Sequence, residues 1–222
     1  MQMATTCAPL ERTISLSPAS TAAEELVHQE NLAIAQGLKR KDAGLLDQLI
    51  VRFQHRLLRY LLYLTGNREM AEDIFQEVWM RVLLRGEQYN GRARFETWLF
   101  TIARNLVIDQ RRKRTMSSLD ELVDGIGDDD RAMTFEVASA GPTPFEHFTH
   151  LEDREQIASA LLGLDTLHRE VLVLRFHEEL SLEEISRVTR AHLSTVKSRL
   201  YRGMAMLKPR IEQARARMQE AV

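Results

Sequence analysis

The side chains with the clearest chemical potential lie near the C-terminus, in the segment LSTVKSRLYRGMAML at residues 193–207. Apolar residues recur there at every third or fourth position, which predicts the buried stripe of a helix: Val196, Leu200, Met204 and Leu207. Hydroxyl and cationic side chains occupy the opposite stripe: Thr195, Ser198, Arg199 and Arg202. Such groups hydrogen-bond to phosphates and base edges in a DNA major groove, and Arg matches guanine. The pattern favours DNA contact, with a solvated helix face as the alternative.

The residues just before this helix predict the element that would position it. Ser181 and Glu184 have the spacing of a capping box, in which the two side chains satisfy free amides at the start of a helix. About four residues of turn follow Thr189, and the basic helix comes next. A capped helix, a tight turn and a second helix with small residues at its start are typical of a helix-turn-helix, whose second helix enters the major groove.

The N-terminal half carries a second amphipathic pattern, which predicts three helices and no strand. They cover about residues 41–65, 68–85 and 95–114, and the last one ends on a run of four basic residues. On the second helix an acidic and polar stripe lies opposite the apolar one: Glu69, Glu72, Asp73, Gln76 and Glu77. A solvated face is the alternative for this stripe as well.

Aromatic and cationic side chains are concentrated around the start of the third helix. They are Tyr89, Arg92, Arg94, Phe95, Trp98 and Phe100. Single-stranded nucleic acid is held by flat rings that stack on bases and by cations that follow the phosphates. Aromatics at helical spacing are more often core residues, and Phe95 and Trp98 are expected to be mostly buried. The polar residues of this region are therefore the stronger candidates for strand contact.

Charge is distributed unevenly along the 222 residues, although the formal net charge is only -2. Residues 41–114 hold 14 Lys and Arg against 9 Asp and Glu, whereas residues 115–150 hold 1 against 8. The acidic segment also contains Gly and Pro and lacks periodicity, which predicts a flexible linker. We expect an all-α chain of two small helical domains, with further helices at about 152–162, 166–177, 181–189 and 193–207 or beyond.

Other features narrow the class of protein. The apolar stretches are shorter than a membrane span, and the N-terminus lacks the pattern of a signal peptide, so we expect a cytoplasmic protein without membrane insertion. The single Cys7 predicts neither a disulfide framework nor a Cys-based zinc site. No phosphate loop, metal-ligand spacing or nucleophile and base pattern is present, so we expect no catalytic residues, metal or cofactor and no enzyme. His147 and His150, with Glu146 and Asp153, are a remote alternative as metal ligands.

Two parts of the chain resemble domains of the sigma factors of bacterial RNA polymerase. Residues 160–208, including LSLEEISRVTRAHLSTVKSRLYRGMAML, look like sigma domain four; GNREMAEDIFQEVWMRVL at 66–83 and FETWLFTIARNLVIDQRRKR at 95–114 look like sigma domain two. Their order, and the absence of additional sigma domains, resemble the extracytoplasmic-function (ECF) group. One departure is the turn, where family members usually have Leu-Gly and this chain has Thr189-Arg190. A non-Gly residue is therefore expected in a left-handed conformation there.

The resemblance implies a role for each polar set. The polymerase-binding residues would be Glu69, Glu72, Asp73, Gln76 and Glu77. The non-template strand of the minus-ten promoter element would be bound by Tyr89, Asn90, Arg92, Arg94, Trp98, Arg104, Asn105, Asp109, Arg111 and Arg112. The minus-thirty-five element would be read by Ser194, Thr195, Lys197, Ser198, Arg199 and Arg202.

The implied organisation is an N-terminal segment at 1–40, made of a tail and a helical extension at 24–40, then sigma domain two at 41–114, the acidic linker at 115–150 and sigma domain four at 151–222. The implied function is that of an ECF sigma factor, which directs promoter recognition, strand opening and initiation by core RNA polymerase. Its partners would be core polymerase, promoter DNA and an anti-sigma factor. The alternative class is a homodimeric helix-turn-helix regulator that binds operators without polymerase, which would need neither the Asp73 and Gln76 stripe nor the strand-binding set.

Overall fold

The computed structural model describes residues 18–120 and 157–219, with side chains described over 25–113 and 157–213. These residues form eight α-helices and one 3-10 turn, without a strand, so the expectation of an all-α fold is confirmed for the described part of the chain. The helices are α1 Pro18–Lys39, α2 Ala43–Thr65, α3 Arg68–Arg85, α4 Phe95–Asp120, α5 157–162, α6 Thr166–Phe176, α7 Leu182–Thr189 and α8 Leu193–Gln219. The 3-10 turn is Gly86–Gln88.

Local sequence explains where several of these helices begin and where one of them ends. The side chains of Asp42, Asn67 and Asp165 accept backbone N–H groups at the starts of α2, α3 and α6. Helix α2 ends at Gly66, whose left-handed conformation and N–H bond to Leu62 O form a glycine C-cap. The helical extension predicted at 24–40 is α1, which begins six residues earlier. Helix α4 continues six residues beyond the predicted end at Arg114.

Helices α1–α4 form what we call the N-terminal unit, and α5–α8 form the C-terminal unit. In the N-terminal unit, α2, α3 and α4 pack on one another and α1 lies against the 3-10 turn and α2. In the C-terminal unit, α8 packs across α6 and α7. The units also touch, through α4 on α7 and α2 on α6, so that one hydrophobic cluster runs through both. The linker predicted at 115–150 lies largely outside the described residues, and the proposed domain boundaries stay a prediction.

Candidate nucleic-acid and polymerase interfaces

The first two turns of α8 present the predicted DNA-reading stripe to the outside. Val196 and Leu200 are buried against the unit, and α8 approaches α6 so closely at Gly203 that a Cβ there would lie 3.1 Å from Leu172. The polar residues occupy the opposite side, either exposed or half-buried: Ser194, Thr195, Lys197, Ser198, Arg199 and Arg202. All of them except Lys197 line one open cleft of about 400 Å³, together with Leu167 and His168. Hydroxyl and guanidinium donors therefore converge at the start of α8.

The turn between α7 and α8 has the geometry that its residues predicted. Ser181 Oγ accepts the Glu184 amide at 3.2 Å, and Glu184 Oε2 accepts the Ser181 amide at 2.8 Å, which confirms the capping box. Arg190 adopts the expected left-handed conformation, with φ 52° and ψ 32°. The Ser186 hydroxyl donates to Ala191 O at 2.6 Å across the turn. Hydrogen bonds thus hold a turn that a non-Gly residue makes at a cost of about 1 kcal/mol.

The acidic and polar stripe on α3 is exposed, as its spacing predicted. Its inward face is anchored by buried residues that include Ala71, Val78 and Val82. Glu72 and Glu77 pair with arginines on their own helix at 2.8 and 3.0 Å. Asp73 and Gln76 make no ion pair or side-chain hydrogen bond within the described residues, so both are available to a partner.

The loop between α3 and α4 separates the strand-binding candidates into exposed and buried groups. Asn90 and Arg92 are exposed, and Asn90 Oδ1 accepts the Arg92 amide at 3.0 Å. Tyr89 is only 3% exposed, and its ring packs on Phe95 and Trp98 with centroids 5.5 and 5.2 Å apart. The proposal that Tyr89 supplies a stacking surface is therefore at odds with this structure, because apolar burial takes its ring into the core. Trp98 is half-buried, and Phe95 is fully buried as expected.

On α4 and just before it, three of the candidate arginines are engaged inside the protein. Arg104 Nε donates to Glu170 Oε1 at 2.8 Å, and Arg94 Nε lies 3.8 Å from Glu184 Oε1. Arg111 donates to Leu64 O and to Thr166 Oγ1. Three other candidates stay at least partly exposed: Asn105, Asp109 and Arg112, the last two paired with each other at 3.6 Å. Part of the candidate set on α4 is therefore covered by the C-terminal unit.

Glutamates of the C-terminal unit form contacts that the sequence reasoning missed. Glu178 is 2% exposed; its Oε2 accepts from Arg56 Nε at 2.8 Å, and its Oε1 lies 3.5 Å from Arg59 Nη2. Glu170, also 2% exposed, accepts from Arg104 and from the Tyr60 hydroxyl at 3.0 Å. The only local sign that such a glutamate would be buried was its position next to an apolar run, as for Glu170 before Val-Leu-Val-Leu.

Burial dominates the electrostatics of this contact. It raises the pKa of Glu170 and of Glu178 above the usual value for a glutamate, and the neighbouring arginines oppose that shift only in part. Burial, with the Glu170 charge beside it, also holds the pKa of Tyr60 well above its ordinary range. The Tyr60 hydroxyl therefore stays protonated and serves as a hydrogen-bond donor to Glu170. A buried carboxylate that keeps a charge contributes little net stability, because its desolvation offsets the attraction.

The described residues contain no group of three or more His, Cys, Asp and Glu side chains placed to hold a metal ion. The remote alternative of a site at His147 and His150 lies outside the described residues. Within 18–120 and 157–219, no helix is both long and apolar enough to span a bilayer.

These features define a helical DNA-binding protein with a helix-turn-helix and a separate, exposed acidic stripe. Comparison with known protein families and with curated relatives narrows this class to one family. Residues 49–116 match the family description Sigma-70 region 2, and residues 154–207 match Sigma-70, region 4. The ECF RNA polymerase sigma factor SigW of Bacillus subtilis is 30% identical over 78% of this chain and 92% of its own length. SigL of Mycobacterium tuberculosis is 33% identical over 80% and 94%. The chain belongs to the ECF sigma factors of the sigma-70 family.

Solved structures agree on the fold. The sigma factor RpoE of Bartonella quintana, determined in complex with the anti-sigma factor NepR, is similar with a TM-score of 0.61 at 22% identity over 75% of this chain and 96% of its own. CnrH, determined with the cytosolic domain of CnrY, is similar with a TM-score of 0.58 at 20% identity over 82% and 97%. At these identities the similarity concerns the fold.

Proposed function

We propose that this ECF sigma factor docks on core RNA polymerase through α3 and directs it to promoters, which it reads with α8 and opens with the 89–112 region. The observation that carries the proposal is the placement of three polar surfaces on three separate elements of one chain. An operator-binding regulator needs only the surface on α8. The exposed Asp73 and Gln76 stripe and the strand-binding candidates are not required by such a regulator, whereas a protein that binds polymerase and melted DNA needs both.

Strand opening in this proposal needs no catalytic group. Unpairing and unstacking a base costs a few kcal/mol. A protein that binds only the opened strand shifts the equilibrium by its differential affinity for the two states. Exposed Asn90 and Arg92 would contact the strand first. The protein would thus act as an initiation factor in the cytoplasm, with polymerase alone supplying the chemistry.

Strand binding further requires an exchange of partners on α4. The Arg104 side chain is only 13% exposed and pairs with Glu170 of the C-terminal unit, so phosphates or bases reach it only after the units separate. Arg94 is 41% exposed and pairs at 2.9 Å with Glu96 of its own unit, with Glu184 of the C-terminal unit 3.8 Å away. Promoter elements read by two units also call for a larger separation than a direct contact between the units allows. The closed arrangement therefore corresponds to the free protein, and the polymerase-bound form is expected to be open.

An anti-sigma factor is the third proposed partner. Two of the solved neighbours were determined with such an inhibitor or with a partner's cytosolic domain, and they share the fold of this chain. Exposed apolar side chains, including Leu83 and Leu84 on α3, would suit a helical partner.

Run-off transcription with core polymerase tests the proposal, using the double variant Asp73→Lys with Gln76→Ala. The matched control is Asp47→Lys with Gln48→Ala, an exposed acid and amide on α2. The proposal predicts that the α3 variant loses association with core and promoter-directed initiation, whereas the control retains both. Full initiation by the α3 variant contradicts docking through this stripe. If the protein binds operator DNA as a dimer and does not bind core polymerase, the result supports the alternative of a helix-turn-helix regulator.

A further inference from the structure

Helix α1 lies outside the segment that matches Sigma-70 region 2, yet one of its side chains is built into the strand-binding loop. Asn31 is 7% exposed on a helix whose neighbouring positions are mostly open. Its Oδ1 accepts the Phe95 amide at 3.1 Å and lies 3.1 Å from the Tyr89 hydroxyl. Tyr89 is at the start of the loop that leads from the 3-10 turn to α4, and Phe95 is the first residue of α4. One side-chain oxygen therefore joins both ends of the loop.

A second, independent contact holds the middle of the same loop against α1. Gly91 has φ 74°, and a Cβ at that position would lie 3.1 Å from Asn31 O and 3.2 Å from Leu32 Cα. The loop backbone thus rests directly on the backbone of α1, in a conformation and at a distance that favour glycine. The Tyr89 hydroxyl has one proton, which it shares between Asn31 Oδ1 and Ala93 O, the latter at 2.7 Å and within the loop itself.

The bond to Phe95 N replaces a cap that the local sequence lacks. The first amides of a helix have no partner within the helix, and Ser, Thr, Asp or Asn in the flanking position usually accepts one of them. That position in α4 holds Arg94, a side chain without an acceptor. Asn31 supplies the acceptor from another helix. Where α4 starts, and hence where Asn90 and Arg92 point, depends on a residue about 60 positions earlier in the chain.

We propose that Asn31 is a positioning residue for promoter strand selection, and that α1 is part of the apparatus that reads the melted strand. The inference rests on the proposed function, in which the loop containing Asn90 and Arg92 meets that strand. Asn31 touches no nucleic acid in this account. It fixes the conformation of the loop, so the loop's polar groups are already ordered when the strand binds. The entropic cost of ordering them therefore does not reduce the affinity for the strand.

The test compares Asn31→Leu and Asn31→Asp with the control His28→Ala, an exposed position on the same helix. Asn31→Leu removes the acceptor with the same branching of the side chain, whereas Asn31→Asp keeps it at a helix N-terminus, where negative charge is favoured. Each chain is assayed with core polymerase on the best minus-ten element from a promoter library and on single-base variants of that element. Core affinity and the thermal midpoint are measured in parallel.

Asn31→Leu is expected to lower initiation from the best element about tenfold and to reduce discrimination among the variants, with core affinity unchanged. Asn31→Asp and His28→Ala should retain discrimination. Equal losses on all elements, or full discrimination by a folded Asn31→Leu chain, overturn the inference and leave a purely structural role. Failure of the wild-type chain to initiate with core at all counts against the proposed function instead, so the two failures are distinguishable.

Discussion

Replacing Glu178 tests how the two units are held together. Its carboxylate is fully buried between Arg56 and Arg59, whose side chains are 29% and 37% exposed. Breaking a buried pair costs about 3–5 kcal/mol when the remaining charge stays buried. Because both arginines can turn to water here, Glu178→Ala is expected to cost about 2 kcal/mol of contact between the units. That is roughly a thirtyfold rise in the open-to-closed ratio.

Comparing Glu178→Ala with Glu178→Gln separates the loss of the hydrogen bond from the loss of the charge. The amide keeps an acceptor oxygen for Arg56 and removes the cost of burying a charge. Its effect is therefore expected to stay within about 1 kcal/mol. Glu183→Gln, an exposed carboxylate in the first turn of α7, is the control and should have no effect.

The dependence on pH follows from the raised pKa of Glu178 and Glu170. The closed form binds a proton more tightly than an open form in which both groups are solvated. Contact between the units is therefore strongest below the ordinary glutamate pKa and weakens as pH rises through the raised values. The dependence should shrink in Glu178→Gln.

Energy transfer measures this equilibrium in the full chain. Dyes are attached at Asp47→Cys on α2 and Arg187→Cys on α7 in a Cys7→Ser background, and urea is titrated at several pH values. Glu178→Ala should separate the units at lower urea than Glu178→Gln does. The reasoning is refuted if the two variants behave alike, or if acidification from neutral pH towards 5 opens the wild-type chain.

Three further pairs of variants test the helix-turn-helix. Ser181→Ala removes half of the capping box and should destabilise the protein by about 1 kcal/mol in urea unfolding, whereas the exposed Ser194→Ala should not. Arg190→Gly should raise stability by up to about 1 kcal/mol, because glycine adopts the left-handed conformation without steric cost; Arg190→Ala should give no such gain. Arg199→Ala should cost about 1–3 kcal/mol on the best minus-thirty-five duplex and relax its sequence preference, whereas Lys197→Ala should weaken all duplexes alike, with a smaller salt slope.

Local patterns were sufficient to predict the elements of the C-terminal unit. The capping box at Ser181 and Glu184, the apolar stripe through Val196 and Leu200, and the strained turn at Arg190 are all consequences of residues close together in sequence. Helix ends were predicted less well. Helix α4 continues to Asp120 because no Gly or Pro interrupts it before Gly125, and α8 continues through Pro209 to Gln219.

Contacts between residues that are distant along the chain could not be predicted from the sequence. Periodicity indicates whether Tyr89 and Asn31 are on helical or loop segments. It does not indicate that the two side chains meet although they are 58 positions apart. Likewise, the pairing of Arg56 with Glu178 depends on how the two units meet, which no local spacing encodes. The assignment of residues to the melted strand depends on such contacts between distant positions. Several of these residues have an alternative partner inside the protein.

The most direct test of the central claim places 2-aminopurine in the minus-ten element of a promoter chosen from a library and follows its fluorescence, which rises as the base unstacks. The account predicts a rise only when core polymerase and this chain are both present, and none with the Asp73→Lys, Gln76→Ala variant. A full rise with either component alone, or no rise with both, would contradict the claim that the chain opens promoters as a subunit of the polymerase.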